Sequence, residues 1–309
     1  MKTNNASAKV SLVETPQFSR EVAFSRTIGL ITKAELEVLK NKTVAVAGLG
    51  GVGGANILTL ARLGVGGFHI ADMDTFGVEN FNRQAGANMG TVGRSKIDVM
   101  EEMALAINPE IRIKKFPKGV HSHNMAEFFA GVDAYVDSLD FFVFKVRGEV
   151  FDYCYKHNIP ATTVGPIGMG AALVNFLPGK MSFHEYFQWK ESDGDLELGV
   201  KFLLGLTPKV PHVSYIVDSS AVDLQNRKGP STPMACQICS GVMGVEIMKI
   251  LLNRGEVLNA PHSIVFDAYK NRVFHTHLWG GNKNPWQKLK IALVKRKLAK
   301  TLAAGKKAA

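Results

Sequence analysis

The chain has 309 residues, 46% of them hydrophobic and 21% charged, a composition that excludes a largely disordered protein. Its net charge of +10 is concentrated in a tail: nine Lys or Arg lie between Lys283 and Lys307 and no acid follows Asp267, so the remainder holds 28 basic against 27 acidic residues. That distribution excludes a uniformly basic surface of the nucleic-acid-binding kind.

In chain order, residues 1–22 lack periodicity and are expected to form a flexible N-terminal arm. Thr32, with Glu35 three residues on, predicts a capped helix to about Lys40. The β-branched run Thr43 to Ala47 predicts a strand buried on both faces, as in a parallel sheet. A glycine turn, Gly48-Leu-Gly-Gly-Val-Gly53, then leads into a helix over Ala55 to Leu63, a second strand over Gly67 to Asp72 and a helix over Lys96 to Ile107, which Pro109 ends. Further strands are predicted at Ile111 to Phe116, Ala134 to Asp137, Ala161 onward and Ala171 to Phe176, with helices at Asn124 to Ala130, Phe144 to His157 and Pro233 to Leu252. A terminal hairpin is predicted over Ser263 to Ala268 and Arg272 to His277, and residues 181–233 read as the least regular stretch. The fold class is α/β: a doubly wound, Rossmann-like mixed sheet with an N-terminal helical arm and C-terminal strands completing the sheet.

Gly48, Gly50, Gly51 and Gly53 allow a phosphate to approach the backbone at a helix N-terminus, and Asp72, ending the second strand, is placed to accept from ribose hydroxyls. Those features serve NAD and ATP equally. Asp74, Asn80, Asn82, Arg83, Gln84 and Lys96 follow at close spacing, and hydride transfer gives no reason for the two cations among them. Attack at a phosphoryl centre does, because the leaving pyrophosphate must be neutralised.

In these motifs the chain resembles the ThiF/MoeB/HesA superfamily, relatives of the ubiquitin-activating enzymes, from about Phe24 to Asp267. The resemblance implies an ATP-dependent adenylyltransferase that activates a substrate carboxylate as an acyl-adenylate and releases pyrophosphate. It places Asn80, Asn82, Arg83, Gln84 and Lys96 in the nucleotide site, and assigns the magnesium ion of MgATP to Asp140, with Asp137 three residues earlier near the same strand end. It also makes Arg26 a residue that reaches into the partner's site in a homodimer. The family pattern Asp-Asn is here Asp140-Phe141-Phe142, which suggests a more apolar pocket wall.

Domain organisation follows as the arm, an adenylylation domain over 23–282 with the substrate crossover at about 181–233, and a basic amphipathic tail over 283–309. The carboxylate is left open among a ubiquitin-like or sulfur-carrier C-terminus, a peptide, a small molecule and a modified tRNA base. Lys201 to Ala235 contains no cysteine, which favours members that pass the acyl-adenylate to a non-enzyme nucleophile, as the tRNA-threonylcarbamoyladenosine dehydratases do. Cys236-Gln-Ile-Cys239 is a single pair where tetrahedral zinc needs four ligands, so structural zinc is not expected and packing is favoured over redox chemistry. The cysteine count, the polar N-terminus and the lack of an uninterrupted apolar run near the roughly 18 residues of a bilayer span point to a reducing, cytoplasmic location.

In the tail, Trp286, Leu289, Leu293, Leu298 and Leu302 fall close to one side of a helix. Docking on the protein's own body is the favoured role of that stripe, contact with an anionic membrane the second and RNA phosphates the third. The rival readings of the whole are an NAD(P)- or FAD-dependent oxidoreductase and a catalytically silent adaptor of the same fold.

Overall fold

A computed structural model describes residues 17–218, 221 and 229–308, the side chains among them as far as residue 299. Its elements run α1 Arg20–Ala23, α2 Lys33–Asn41, β1 Thr43–Ala47, α3 Gly51–Leu63, β2 Gly67–Ala71, α4 Lys96–Ile107, β3 Arg112–Phe116, α5 Met125–Phe128, β4 Ala134–Asp137 and α6 Phe144–Lys156. The second half holds β5 Ala161–Ile167, β6 Gly170–Phe176, α7 Phe183–Phe187, α8 Asp195–Leu206, α9 Pro233–Leu252, β7 His262–Asp267, β8 Arg272–His277 and α10 Pro285–Ala308.

The strands form one eight-stranded sheet in the order β3-β2-β1-β4-β5-β6-β7-β8. Pairing is parallel from β3 to β5 and antiparallel from β5 to β8. The order reverses between β1 and β4, and doubly wound sheets bind ligands outside the carboxyl ends of the strands at such a point.

Both faces of the sheet are covered, which is why β1 reads as a continuous apolar run. Val44 and Val46 enter a core with Leu60 of α3, Met100 of α4 and Met243 of α9, whereas Ala45 and Ala47 enter a second core with Phe128 of α5, Phe151 of α6 and Phe202 of α8. By length and composition α9 is long and apolar enough to cross a bilayer. The interruptions at Gln237, Glu246 and Lys249 hide this when only unbroken runs are sought. Here α9 packs on α3, β5 and β6, with Cys236, Cys239, Met243 and Ile247 at most 1% exposed.

Three expectations change. Residues assigned to the arm belong to the folded body: Arg20 is buried, its Nη2 donates to Gly64 O at 2.7 Å, and its guanidinium lies over Phe24. The stretch 181–233 contains the twelve-residue α8. That helix is buried on two sides, Phe202 and Leu206 toward the sheet and Val200 and Leu204 toward α10, so no polar stripe marks its period. The tail is helical and docked, but through Gln287, Ile291, Val294 and Leu298 against α8. Of the predicted stripe, Leu298 joins that contact, Trp286, Leu289 and Leu293 are exposed, and Leu302 lies outside the described side chains.

Candidate active site

The four glycines of the turn divide into two kinds. Gly48 sits at φ +87°, and a Cβ there would lie 2.2 Å from Ser138 O; a Cβ on Gly53 would lie 1.8 Å from Gly48 O. These two close the turn against the residue after β4 and are required by the fold itself. Gly50 and Gly51 face the site: the nearest atom to a Cβ on Gly50 is Gln84 Nε2 at 3.6 Å, and a Cβ on Gly51 would meet Cys236 Sγ at 2.9 Å and Arg83 Cγ at 3.2 Å. Helix α3 opens at Gly51, earlier than predicted, and its N-cap Gly50 offers no side-chain cap. The first-turn N–H groups therefore remain available to an anion, with the helix dipole behind them.

Asp72 braces that turn. Its Oδ2 accepts from Leu49 N at 2.6 Å and its Oδ1 from Asp74 N at 2.8 Å. Burial pushes its carboxyl up from the ordinary aspartate range, against the pull of those two N–H donors. Each oxygen keeps a further lone pair for a ribose hydroxyl. Asp74 in turn holds Lys96: Nζ lies 3.1 Å from Asp74 Oδ2, and Lys96 N donates to Asp74 O. The Lys96 side chain is 8% exposed, so its position is fixed by packing.

The segment around Arg83 packs over the start of α3. Arg83 Nη1 donates to Glu79 O and to Asn82 Oδ1, and Asn82 Nδ2 donates to Ser231 O, tying the motif to the approach to α9. Asn80 is buried and serves the turn, its Oδ1 accepting from Gly77 N at 2.9 Å. Gln84 is also buried, and among the described residues its Oε1 has no hydrogen-bond partner. A buried orphan acceptor beside Gly50 suits a hydroxyl or amino donor of a ligand.

At the end of β4 the two predicted metal carboxylates separate. Asp137 is 2% exposed and fully engaged: Arg147 Nε donates to Oδ2 at 2.8 Å, Thr163 Oγ1 donates to the same oxygen at 2.8 Å, and Leu139 N lies 3.3 Å from Oδ1. The expectation that Asp137 shares a metal with Asp140 is corrected, because its charge is already neutralised inside the core. Asp140 is exposed at the sheet edge, with Oδ1 accepting from Phe142 N. Among the described residues no three His, Cys, Asp or Glu side chains gather into a ready-made metal site. One exposed carboxylate fits magnesium that arrives with ATP phosphates and keeps its waters. Phe141 and Phe142 pack partly into the second core.

Arg147 is the residue that sequence reasoning missed. Besides Asp137, it donates from Nη2 to Leu139 O and Asp140 O and from Nη1 to Phe141 O and Val143 O, while its guanidinium stacks over Phe202. One buried side chain thus fixes the loop that presents Asp140. The signal was available: Arg147 lies on the stripe of Phe144, Phe151 and Cys154, where a cation has no place unless it is paired.

Cys236 abuts Gly51 but is 1% exposed, and burial raises its thiol pKa despite the lowering influence of Ser231 and Arg83; Cys239 is raised further by burial. Arg26 stands exposed on a 3-10 turn, Ser25–Thr27.

Comparison with known proteins identifies the family. The model of the ThiF family matches residues 24–288. The tRNA threonylcarbamoyladenosine dehydratase of Bacillus subtilis is 38% identical over 150 residues, 48% of this chain and 57% of that protein. The probable adenylyltransferase/sulfurtransferase MoeZ of Mycobacterium tuberculosis is 30% identical over 231 residues, 74% of this chain and 52% of that protein. The chain thus spans about half the length of these curated relatives. A crystal structure of PaaA superposes with a TM-score of 0.63 at 16% identity, covering 89% of this chain and 77% of that one, a likeness of fold. A glycine turn, an aspartate brace and the Arg83 and Lys96 cations, all inside one match covering most of the sequence, lead to one conclusion: this chain belongs to the ThiF family.

Proposed function

We propose that the chain is an ATP-dependent adenylyltransferase that activates a carboxylate. The observation that carries this reading is the convergence of the motif side chains on Leu49 to Gly51: Asp72 bonds Leu49, Gln84 faces Gly50, Arg83 packs on Gly51, and Lys96 is joined through Asp74 to Asp72. Fixed cations around a helix N-terminus suit a triphosphate whose leaving group gains charge, a demand that hydride transfer does not make. A carboxylate oxygen of the substrate attacks the α-phosphorus, the bond to the bridging oxygen breaks, and pyrophosphate departs toward Arg83 and Lys96. Asp140 would hold the magnesium ion, which supplies charge neutralisation on the phosphate oxygens.

The acceptor is a nucleophile outside this chain. Within the site the neighbouring thiol is Cys236, buried and held in its neutral form, and the sequence from 201 to 235 has no cysteine. The tRNA threonylcarbamoyladenosine dehydratase among the relatives makes a tRNA-borne carboxylate the first substrate to try. A homodimer is part of this reading, with the exposed Arg26 offered to the partner's phosphates. ATP–pyrophosphate exchange dependent on an added carboxylate tests the reaction. Failure of the chain to bind MgATP at all would remove it.

A further inference from the structure

Helix α10 has two apolar faces, and the described residues cover one. Gln287, Ile291, Val294 and Leu298, at helical spacing, rest on α8, with Gln287 Nε2 donating to Leu204 O at 2.7 Å and Lys295 paired with Glu197. On the other side Trp286, Leu289 and Leu293 repeat at i, i+3 and i+7 and are 75%, 51% and 58% exposed. A docked helix needs one apolar face; the second asks for another partner.

The charges around that face narrow the partner. From Ala268 to the end there is no Asp or Glu, and Lys288, Lys290 and Arg296 are exposed along α10. Lys290 Nζ reaches Pro208 O, so the helix adjoins Lys209, which lines an open cleft with Lys270, Arg272 and Phe274. A second copy of this chain would bring the same cations against themselves, which disfavours self-association through α10. The occupant must accept apolar side chains and also carry dense negative charge. A lipid surface with anionic headgroups meets both requirements, with Trp286 at the headgroup boundary, where tryptophan is enriched.

We propose that the outer face of α10 lies on an anionic membrane surface and so holds the protein at that surface without spanning it. Co-sedimentation of the full chain with vesicles of equimolar phosphatidylglycerol and phosphatidylcholine, against vesicles of phosphatidylcholine alone, tests this. The full chain is expected in the pellet with the anionic vesicles and in the supernatant with the neutral ones. A triple variant, Trp286→Ala, Leu289→Ser and Leu293→Ser, keeps every cation and changes only exposed side chains. It should melt at the same temperature, bind MgATP as the parent does and lose about tenfold in vesicle binding. Absence of the full chain from the anionic pellet overturns the proposal, and so does equal sedimentation of the triple variant. Retention of bulk tRNA that the triple variant loses, with no vesicle binding by either protein, overturns it in favour of nucleic acid. MgATP binding reports separately on the adenylyltransferase reading, so the two fail independently.

Discussion

Arg147 Nε lies 2.8 Å from Asp137 Oδ2, and both side chains are 2% exposed. This ion pair sits beneath the loop that carries Asp140, and the four carbonyls that Arg147 also holds make the pair a mount for that loop. Breaking one side of a buried pair leaves an uncompensated charge, so Arg147→Met should cost about 3–5 kcal/mol of stability. Arg147→Lys keeps the charge but not the planar fork, and should recover part of the stability while turnover stays low. Urea unfolding together with exchange rates checks both; a variant as stable as the parent would remove the mount.

Arg83→Ala and Lys96→Ala should each lower pyrophosphate exchange by about a hundredfold to a thousandfold, because each deletes a cation matched to charge that develops during the reaction. Far-ultraviolet circular dichroism should be unchanged for Arg83→Ala, whose side chain, among the described residues, donates only to its own loop. Normal exchange in a folded variant would sever the pair from the chemistry.

The division of the glycines predicts opposite outcomes at neighbouring positions. Gly48→Ala places a methyl group 2.2 Å from a backbone carbonyl at φ +87° and should destabilise the protein by about 1–3 kcal/mol or more. Gly50→Ala meets nothing closer than 3.6 Å and should fold as the parent does while weakening ATP binding, because its methyl group intrudes on the phosphate path. Thermal melts paired with titration calorimetry separate the two effects.

Burial raises the pKa of the Cys236 and Cys239 thiols, so at any pH below those values the thiolate fraction is smaller than for an exposed cysteine. Alkylation of the native protein should be slow at neutral pH and quicken only as the pH rises, and Cys236→Ser and Cys239→Ser should retain pyrophosphate exchange. A covalent acyl or persulfide adduct on Cys236 in intact mass spectra would contradict this.

On α10, Ile291→Ala removes a side chain that is 7% exposed and packed on Val200 and Leu204, and should cost about 2 kcal/mol. Leu293→Ala, two residues on and 58% exposed, should change stability by no more than about 0.5 kcal/mol. A larger loss at Leu293 than at Ile291 would mean that the helix docks through the other face.

What could be read from the sequence was set by how local the determining interactions are. Strand β1, helix α4 and the capping box at Thr32 and Glu35 follow from short-range chemistry, and the structure has them at the predicted residues. The motif residues from Gly48 to Lys96 fall within fifty positions, and the structure gathers Asp72, Arg83 and Gln84 about one turn. The commitment of Asp137 was not: its partners come from α6 and β5, ten and twenty-six residues away, and only the tertiary fold turns a candidate ligand into half of an ion pair. Helix α8 stayed hidden because two apolar faces erase the amphipathic period, with Gly199 and Gly205 inside the run. Gly205 is there for Phe187, whose ring would lie 2.4 Å from a Cβ. For the tail, helical spacing gave the element but not its orientation, which depends on where α8 offers Val200, Leu204 and the Leu204 carbonyl.

In the proposed reaction the glycine turn receives the phosphates of ATP for attack by a carboxylate. Titration of the purified full chain with MgATP and with NAD(P), followed by pyrophosphate exchange in the presence of bulk tRNA, carrier proteins, peptides and small acids in separate pools, tests it most directly. Saturable MgATP binding that Arg83→Ala weakens is expected, with exchange that one pool switches on and Lys96→Ala lowers by about a hundredfold to a thousandfold. Saturable NAD(P) binding or co-purifying flavin, with no affinity for MgATP, would contradict it.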